Sequence, residues 1–269
     1  MKFAILIPRY RERLTQDEEI SLNHFQHFLS GFETIVIKPH CLQLSSAKYP
    51  SVDFPNHFFT DIPAYSRLLL TPSFYERFID YDFILIYQLD ALVFSNDLLQ
   101  FCQQGYDYIG APIFQRYKQE PIFSRVGNGG LSLRRVRAFL EVLNSTRYTQ
   151  EKVPILKQFF TASIPDLDEW PIARRWRKKL QILRSVRAGV EAYTQGYTMN
   201  EDLFWSDRAR LFDPNFRIAP LRTALQFSFD KHPRFCYKHN DRQLPFGCHA
   251  WAKWDRAFWE KIIFKEKNI

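Results

Sequence analysis

The stretch Tyr81-Asp82-Phe83-Ile84-Leu85-Ile86-Tyr87-Gln88-Leu89-Asp90-Ala91-Leu92-Val93-Phe94 decides the fold. Phe83 to Tyr87 is an unbroken apolar and aromatic run. Such a run is what a strand needs when both of its faces are covered, as in a mostly parallel sheet. Gln88 and Asp90 follow, with Leu89 between them, and alternation places the two polar side chains on one side. A carboxylate at the end of a buried strand is costly unless something pairs with it. In open α/β sheets the ligand sits at such strand ends. Asp90 is therefore the first candidate functional residue, against the simpler role of capping the next turn.

The flanking elements fit an α/β chain. Phe3 to Ile7 reads as a strand closed by Pro8. Thr15-Gln16-Asp17-Glu18 has the form of a capping box, and Leu22, Phe25, Leu29 and Phe32 recur at helical spacing behind it. Thr34 to Ile37 is a β-branched run closed by Pro39. Strand, helix, strand is the start of a doubly wound sheet. An irregular stretch is expected up to about Asp61, then helices over Ala64 to Leu70 and from Thr71-Pro72 onward. A short helix to Cys102, a strand over Asp107 to Gly110, a helix over Arg135 to Leu143 and a strand-like Phe216 to Ala219 are also expected. The chain should end in an amphipathic helix from Phe258 to Phe264.

With 269 residues and an apolar fraction of 46%, the chain can form one sizeable core, and with only 9 glycines it has little room for flexible linkers. One domain over 1–269 is expected, with a basic helical insertion at about 165–195. The first residues do not read as a signal peptide, because the apolar run is short and Arg9, Arg11 and Arg13 follow it. A cytoplasmic protein with reduced cysteines is the expectation. Cys236, His239, Cys248 and His249 have poor spacing for zinc.

The net charge of +8 is concentrated. Between Trp170 and Val190 stand Arg174, Arg175, Arg177, Lys178, Lys179, Arg184 and Arg187, with no carboxylate among them. Trp176, Leu180, Leu183 and Val190 give the same segment an apolar stripe. Such a helix can lie on an anionic membrane surface, contact a phosphorylated acceptor, or be a solvated surface helix. A nucleic-acid-binding protein is the reading from charge alone. The confinement of that charge to one helix and the lack of a binding motif argue against a nucleic-acid partner.

Three further features bear on chemistry. Gly127-Asn128-Gly129-Gly130 allows a close backbone approach to a ligand, or a tight turn into a strand. Asn200-Glu201-Asp202 places two carboxylates in the first turn of a helix, where the helix dipole also favours them. His249 stands in an otherwise apolar segment, where a hydrogen-bonded core histidine is the simpler reading. Asp90 and His249 could share Mn²⁺, or Mg²⁺, which prefers oxygen and water. Glu201 or Asp202 could then act as a base.

On these residues the sequence resembles the GT-A glycosyltransferases and, more closely, an uncharacterised bacterial family assigned to that group. The landmarks are Tyr-Gln-Leu-Asp-Ala at 87–91, Tyr-Asp-Tyr-Ile-Gly-Ala-Pro at 106–112, Gly-Asn-Gly-Gly-Leu-Ser-Leu-Arg at 127–134, Asn-Glu-Asp at 200–202 and Pro-Phe-Gly-Cys-His-Ala-Trp at 245–251. The segments from Tyr65 and from Tyr87 also resemble glycogenin-type transferases.

The resemblance implies a GT-A, Rossmann-like α/β fold whose central, mostly parallel sheet is flanked by helices. It implies an inverting transfer from a nucleotide-sugar donor to a glycan or lipid-linked acceptor in surface polysaccharide synthesis. It maps the Asp-x-Asp metal motif onto Gln88-Leu89-Asp90, with the neutral Gln88 as a departure, and a metal-binding histidine onto His249. Asp202 becomes the base, with Glu201 orienting the acceptor. The donor contacts become Pro8, Arg67, Tyr87, Gln88, Asn128, Gly129 and Gly130. A metal-dependent nucleotide-sugar hydrolase would use the same residues with water as acceptor. An enzyme on the inner face of a membrane is the implied location.

Overall fold

The computed structural model describes residues 1–45, 48–115, 118–161, 171–186 and 189–264. Eleven strands are formed among them. They are β1 (Phe3–Pro8), β2 (Thr34–Pro39), β3 (Ser51–Phe54), β4 (Phe83–Tyr87), β5 (Leu92–Val93), β6 (Tyr108–Gly110), β7 (Pro112–Phe114), β8 (Phe123–Val126), β9 (Leu131–Arg135), β10 (Ser228–Phe229) and β11 (Gly247–Cys248).

Six strands build the main sheet in the order β3-β2-β1-β4-β9-β6. From β3 to β4 every pairing is parallel. β9 runs antiparallel to both β4 and β6, so it alone opposes the other five. The fold is therefore α/β with a central, mostly parallel sheet flanked by helices, as the run at 83–87 suggests. All five residues of β4 are buried, and their alternation serves two cores. Ile84 and Ile86 pack on one face with Phe139, Phe204 and Trp205. Phe83, Leu85 and Tyr87 pack on the other with Phe25 and Leu29. Full burial of each aliphatic side chain contributes about 1.5–3 kcal/mol, so this strand anchors both layers.

The Gln16–Leu29 helix follows β1 and starts as its sequence dictates. Thr15 accepts from the Glu18 amide while the Glu18 side chain accepts from the Thr15 amide. That helix returns the chain to β2, on one side of β1, whereas β4 lies on the other. The sheet order thus reverses between β1 and β4, which makes their carboxyl ends the place for a ligand cleft.

Two expectations fail locally. Ser51–Phe54 is a strand, not irregular chain, because it pairs in parallel with β2. Phe216 to Ala219 is not a strand; Ile218 makes only an isolated bridge to Tyr108. Parts of the basic segment, Trp170 and Arg187 among them, lie outside the described residues, as does the side chain of Arg184. Its described part includes the Ile172–Val186 helix, and Leu183, Val190 and Tyr193 join the main core. None of the described helices is long and apolar enough to cross a membrane.

Candidate functional site

A second sheet, of three very short strands, assembles half of the cleft. β10 and β11 are parallel, and β11 is antiparallel to β5. Asp230 leaves the end of β10, His249 leaves the end of β11, and Asp90 precedes β5. The pairing therefore delivers three side chains, from distant parts of the sequence, to one end of the small sheet. Backbone bonds fix the delivery. The His249 amide donates to Phe229 O at 2.8 Å, and the Trp251 amide donates to Asp90 O at 3.1 Å. Ala250 between them adopts a left-handed backbone, with φ 52°. That conformation disfavours a side chain, so the surrounding contacts must hold it.

His249 is the hub of this half. Its Nε2 lies 3.2 Å from Asp90 Oδ1 and 3.2 Å from Gln88 Oε1. Its Nδ1 lies 3.2 Å from Asp230 Oδ1. Asn128 Nδ2 donates to the other Asp230 oxygen at 3.3 Å, and Asn128 Oδ1 accepts from the Gly130 amide at 3.1 Å. Burial works against a charge on His249, but Asp90 and Asp230 outweigh it and push the ring up to about 10. Burial likewise opposes ionisation of Asp90, yet His249 holds it below the usual carboxylate range. Gln88 and Asp90 do reach the same ring nitrogen. They do so through a turn, closed by the Ala91 amide on Gln88 O, and not through strand alternation.

The other half comes from β9 and the Glu201–Asp207 helix. Arg134 is completely buried. Its guanidinium donates to Glu201 Oε1 at 2.8 Å, Tyr75 Oη at 3.0 Å, Ser132 Oγ at 3.0 Å and Gly129 O at 3.4 Å. Burial works against the charge, but Glu201, Tyr75 and Tyr108 keep the guanidinium protonated. Breaking such a buried pair typically costs about 3–5 kcal/mol. Asp202 stands beside it. Burial first, then the charge of Glu201, push Asp202 up to about 7, against the pull of the Leu203 and Gly129 amides. Its Oδ1 is buried and has no partner among the described residues.

The two halves meet at one peptide, Gly129–Gly130. A Cβ on Gly129 would overlap Glu201 Oε1, and a Cβ on Gly130 would overlap the His249 ring. The Gly130 carbonyl accepts from the Gln88 amide at 3.0 Å, which ties this turn to the end of β4. The two glycines therefore make room for the Glu201 and His249 side chains. Gly127, with φ 111°, supplies the turn itself.

Two other expected site residues are placed differently. Tyr87 is fully buried, and its hydroxyl donates to Ser21 O and Ala91 O, each at 3.0 Å. It braces β4 from within the core and is not available to a ligand. Glu201 is buried; its Oε1 is held by Arg134, and its Oε2, like Asp202 Oδ1, has no partner among the described residues. Pro8 lies half-buried at the end of β1, beside the cleft, and Arg67 is exposed in the last turn of the Ile62–Leu68 helix, outside these contacts. Sequence reasoning missed Asp230, Arg134 and Tyr75.

Among the described residues no group of three or more His, Cys, Asp or Glu side chains is arranged to hold a metal ion. Asp90 Oδ1 and the Gln88 side-chain carbonyl both lie 3.2 Å from His249 Nε2, within hydrogen-bond reach of the ring, so a cation shared by them would have to take the place of the ring proton. Asp230 occupies the far ring nitrogen, the usual arrangement behind a metal-ligating histidine. Cations that work on phosphates need only one or two protein carboxylates, the rest of the shell being water and substrate oxygen. So few donors would suit a cation completed by a phosphate, and not a closed protein cage. The four cysteines are free thiols, and Cys236 and Cys248 are packed in an apolar cluster with Trp251 and Trp259.

Residues 48–249 match the model of a family described as "Protein of unknown function (DUF5672)". No curated protein matches the chain. Solved structures similar to it include three glycosyltransferases. Mouse xyloside xylosyltransferase 1 is 10% identical, with 93% of this chain and 97% of that one covered and a TM-score of 0.48. A glycosyltransferase involved in glycosylation of the major capsid of PBCV-1 is 11% identical, with 98% and 99% covered and a TM-score of 0.43. GlyE of Streptococcus pneumoniae TIGR4 is 11% identical; 99% of this chain spans 63% of that one, with a TM-score of 0.45.

Proposed function

The chain belongs to the DUF5672 family, and we propose that it is a nucleotide-sugar-dependent glycosyltransferase, inverting and metal-dependent. Its substrates in this reading are a nucleotide-sugar donor and a glycan or lipid-linked acceptor of surface polysaccharide synthesis. The observation that carries the reading is the meeting, across Gly129–Gly130, of a cation-type donor pair and a carboxylate poised near neutrality. Asp90 of that pair follows the end of β4, one of the two strands between which the sheet order reverses, where α/β sheets bind their ligands.

Asp90 and His249 would hold Mn²⁺ or Mg²⁺, with Gln88 as a neutral third donor. A cation there supplies charge neutralisation for a departing diphosphate. Asp230 and Asn128 fix the orientation of the His249 ring. In this reading Pro8, Asn128 and the backbone of Gly129 and Gly130 would contact the donor, and the exposed Arg67 would reach it from outside that cluster. Asp202 takes the proton from the acceptor hydroxyl as that oxygen bonds to the anomeric carbon and the bond to the diphosphate breaks. A base that titrates near 7 is well matched to this step at neutral pH. Residues 1–269 act as one domain, with the basic helical segment as an insertion.

The same reading gives the enzyme a place on the inner face of an anionic membrane. Ile172, Trp176 and Leu180 are exposed on the basic helix, and Val153 and Phe160 are exposed on the neighbouring Lys152–Thr161 helix. Large apolar side chains beside a cationic face are the features of an interfacial helix, and a lipid-linked acceptor would be found there.

The test is a thermal-shift screen of nucleotide sugars with and without Mn²⁺, because a ligand of the native state must raise its stability. A donor-specific, Mn²⁺-dependent shift is expected. No shift with any nucleotide sugar contradicts the reading, and release of free sugar despite acceptor points to a hydrolase.

A further inference from the structure

The Arg134–Glu201 pair adjoins the proposed base, since Glu201 precedes Asp202 in the chain, and its hydrogen bonds go to Tyr75, Ser132 and Gly129 and not to Asp90 or His249. Arg134 is completely buried, and Glu201 is 5% exposed. Such a pair needs a reason, since well-packed apolar residues would commonly stabilise the fold as well. Its connections supply one. One guanidinium nitrogen donates to both Glu201 Oε1 and the Gly129 carbonyl. Gly129, in turn, packs against Asp202: a Cβ added there would lie 3.4 Å from the Asp202 Cβ. Ser132 and Tyr75 fix the remaining guanidinium nitrogens, at 3.0 Å each. Ser132 Oγ also donates to the Gly129 carbonyl, at 2.9 Å. The Gly129 turn and the first turn of the Glu201–Asp207 helix are thus clamped together by one buried cation.

We infer that Arg134 is a positioning residue for Asp202: by gripping Glu201 and the Gly129 carbonyl, it fixes the Asp202 carboxylate with Oδ1 uncommitted. This rests on the reading of Asp202 as the base. The clamp has an electrostatic consequence as well. Asp202 and Glu201 are adjacent buried carboxylates, and like charges so close suppress each other's ionisation. Arg134 answers the Glu201 charge and so limits how far Asp202 is raised. The other titratable groups facing this cluster are Tyr65, Tyr75, Tyr108 and Tyr197, all raised by burial and therefore neutral at physiological pH. Arg134 is a cation that draws the Asp202 carboxyl down against the push of Glu201.

The experiment titrates Asp202 directly, by carbon NMR of protein labelled at the aspartate carboxyl carbon. The signal is assigned by its loss in Asp202→Asn. In the parent it should titrate near 7. In Arg134→Met the midpoint should rise by about one pH unit or more, since an attraction is lost and a repulsion is exposed. Arg134→Lys, which keeps the charge, should recover most of that rise. Glu201→Gln should move the midpoint the opposite way, toward the ordinary carboxylate range. Should Arg134→Met not fold, Glu201→Gln carries the same test with the opposite sign. An Asp202 midpoint unchanged in the folded variants overturns the inference. Since the titration needs no substrate, opposite shifts in a protein without transferase activity would sink the functional reading and leave the positioning role standing.

Discussion

Replacing Asp202 by Asn should stabilise the protein at pH 8, although the residue is proposed to be essential. Burial and Glu201 raise the carboxyl from 3.8 to about 7. The folded state therefore holds this proton more tightly than the unfolded chain does. Unfolding releases it between about pH 4 and pH 7, and stability falls with rising pH across that window. A rise of about three units corresponds to on the order of 4 kcal/mol once both states are ionised, and to less than about 2 kcal/mol at pH 5. Asparagine removes the whole term. Against this, its amide nitrogen places donors where the unpartnered Oδ1 now sits, and a buried unmet donor costs about 1–3 kcal/mol. The balance at pH 8 is a gain of about 1–3 kcal/mol, shrinking to nothing or to a small loss at pH 5. Urea denaturation of parent and variant at the two pH values measures it directly. A variant less stable than the parent at pH 8, or a difference that does not depend on pH, refutes the argument.

Three further outcomes are expected. Gly130→Ala should displace the His249 ring, since the added Cβ would overlap it, and should abolish Mn²⁺ binding by calorimetry while far-ultraviolet circular dichroism stays native. Asp230→Asn should weaken Mn²⁺ affinity by roughly 10- to 100-fold, the usual cost of removing the group that orients a histidine ligand. Reversing Arg174, Arg175, Lys178 and Lys179 to Glu should abolish sedimentation with anionic liposomes and leave nucleotide-sugar binding unchanged; equal sedimentation of parent and variant removes the membrane surface from the account.

How much of this was legible in the sequence depends on how local each signal is. The centre of the sheet could be read because Phe83 to Tyr87 is apolar throughout, and only a strand covered on both faces requires that. The capping box at Thr15 and Glu18 could be read because its two bonds span three residues. Asp90 and His249 could be nominated as polar residues in apolar surroundings. Asp230 could not, because β10 has two residues and acquires meaning only through β11 and β5. The Arg134 signal was present but ambiguous. Leu131-Ser132-Leu133-Arg134 alternates like a half-exposed strand, and nothing local says that its polar face is buried under Tyr75 and Glu201. That Glu201 and not Asp202 is bound by a buried guanidinium is set by Arg134, 67 residues away from Glu201. Tyr87 misled because it continues into Gln88, while the strand pleat turns it inward to Phe25 and Ser21.

The most direct test of the central claim is turnover of a nucleotide-sugar donor, identified by the binding screen, with Mn²⁺ and a saccharide acceptor. Product is read by mass spectrometry and its anomeric configuration by NMR, for parent and Asp202→Asn. The account predicts a glycoside of inverted configuration from the parent, an acid limb near pH 7, and a loss of about 10²- to 10⁴-fold in the variant with donor binding retained. A fully active Asp202→Asn, or a product that keeps the configuration of the donor, would contradict it.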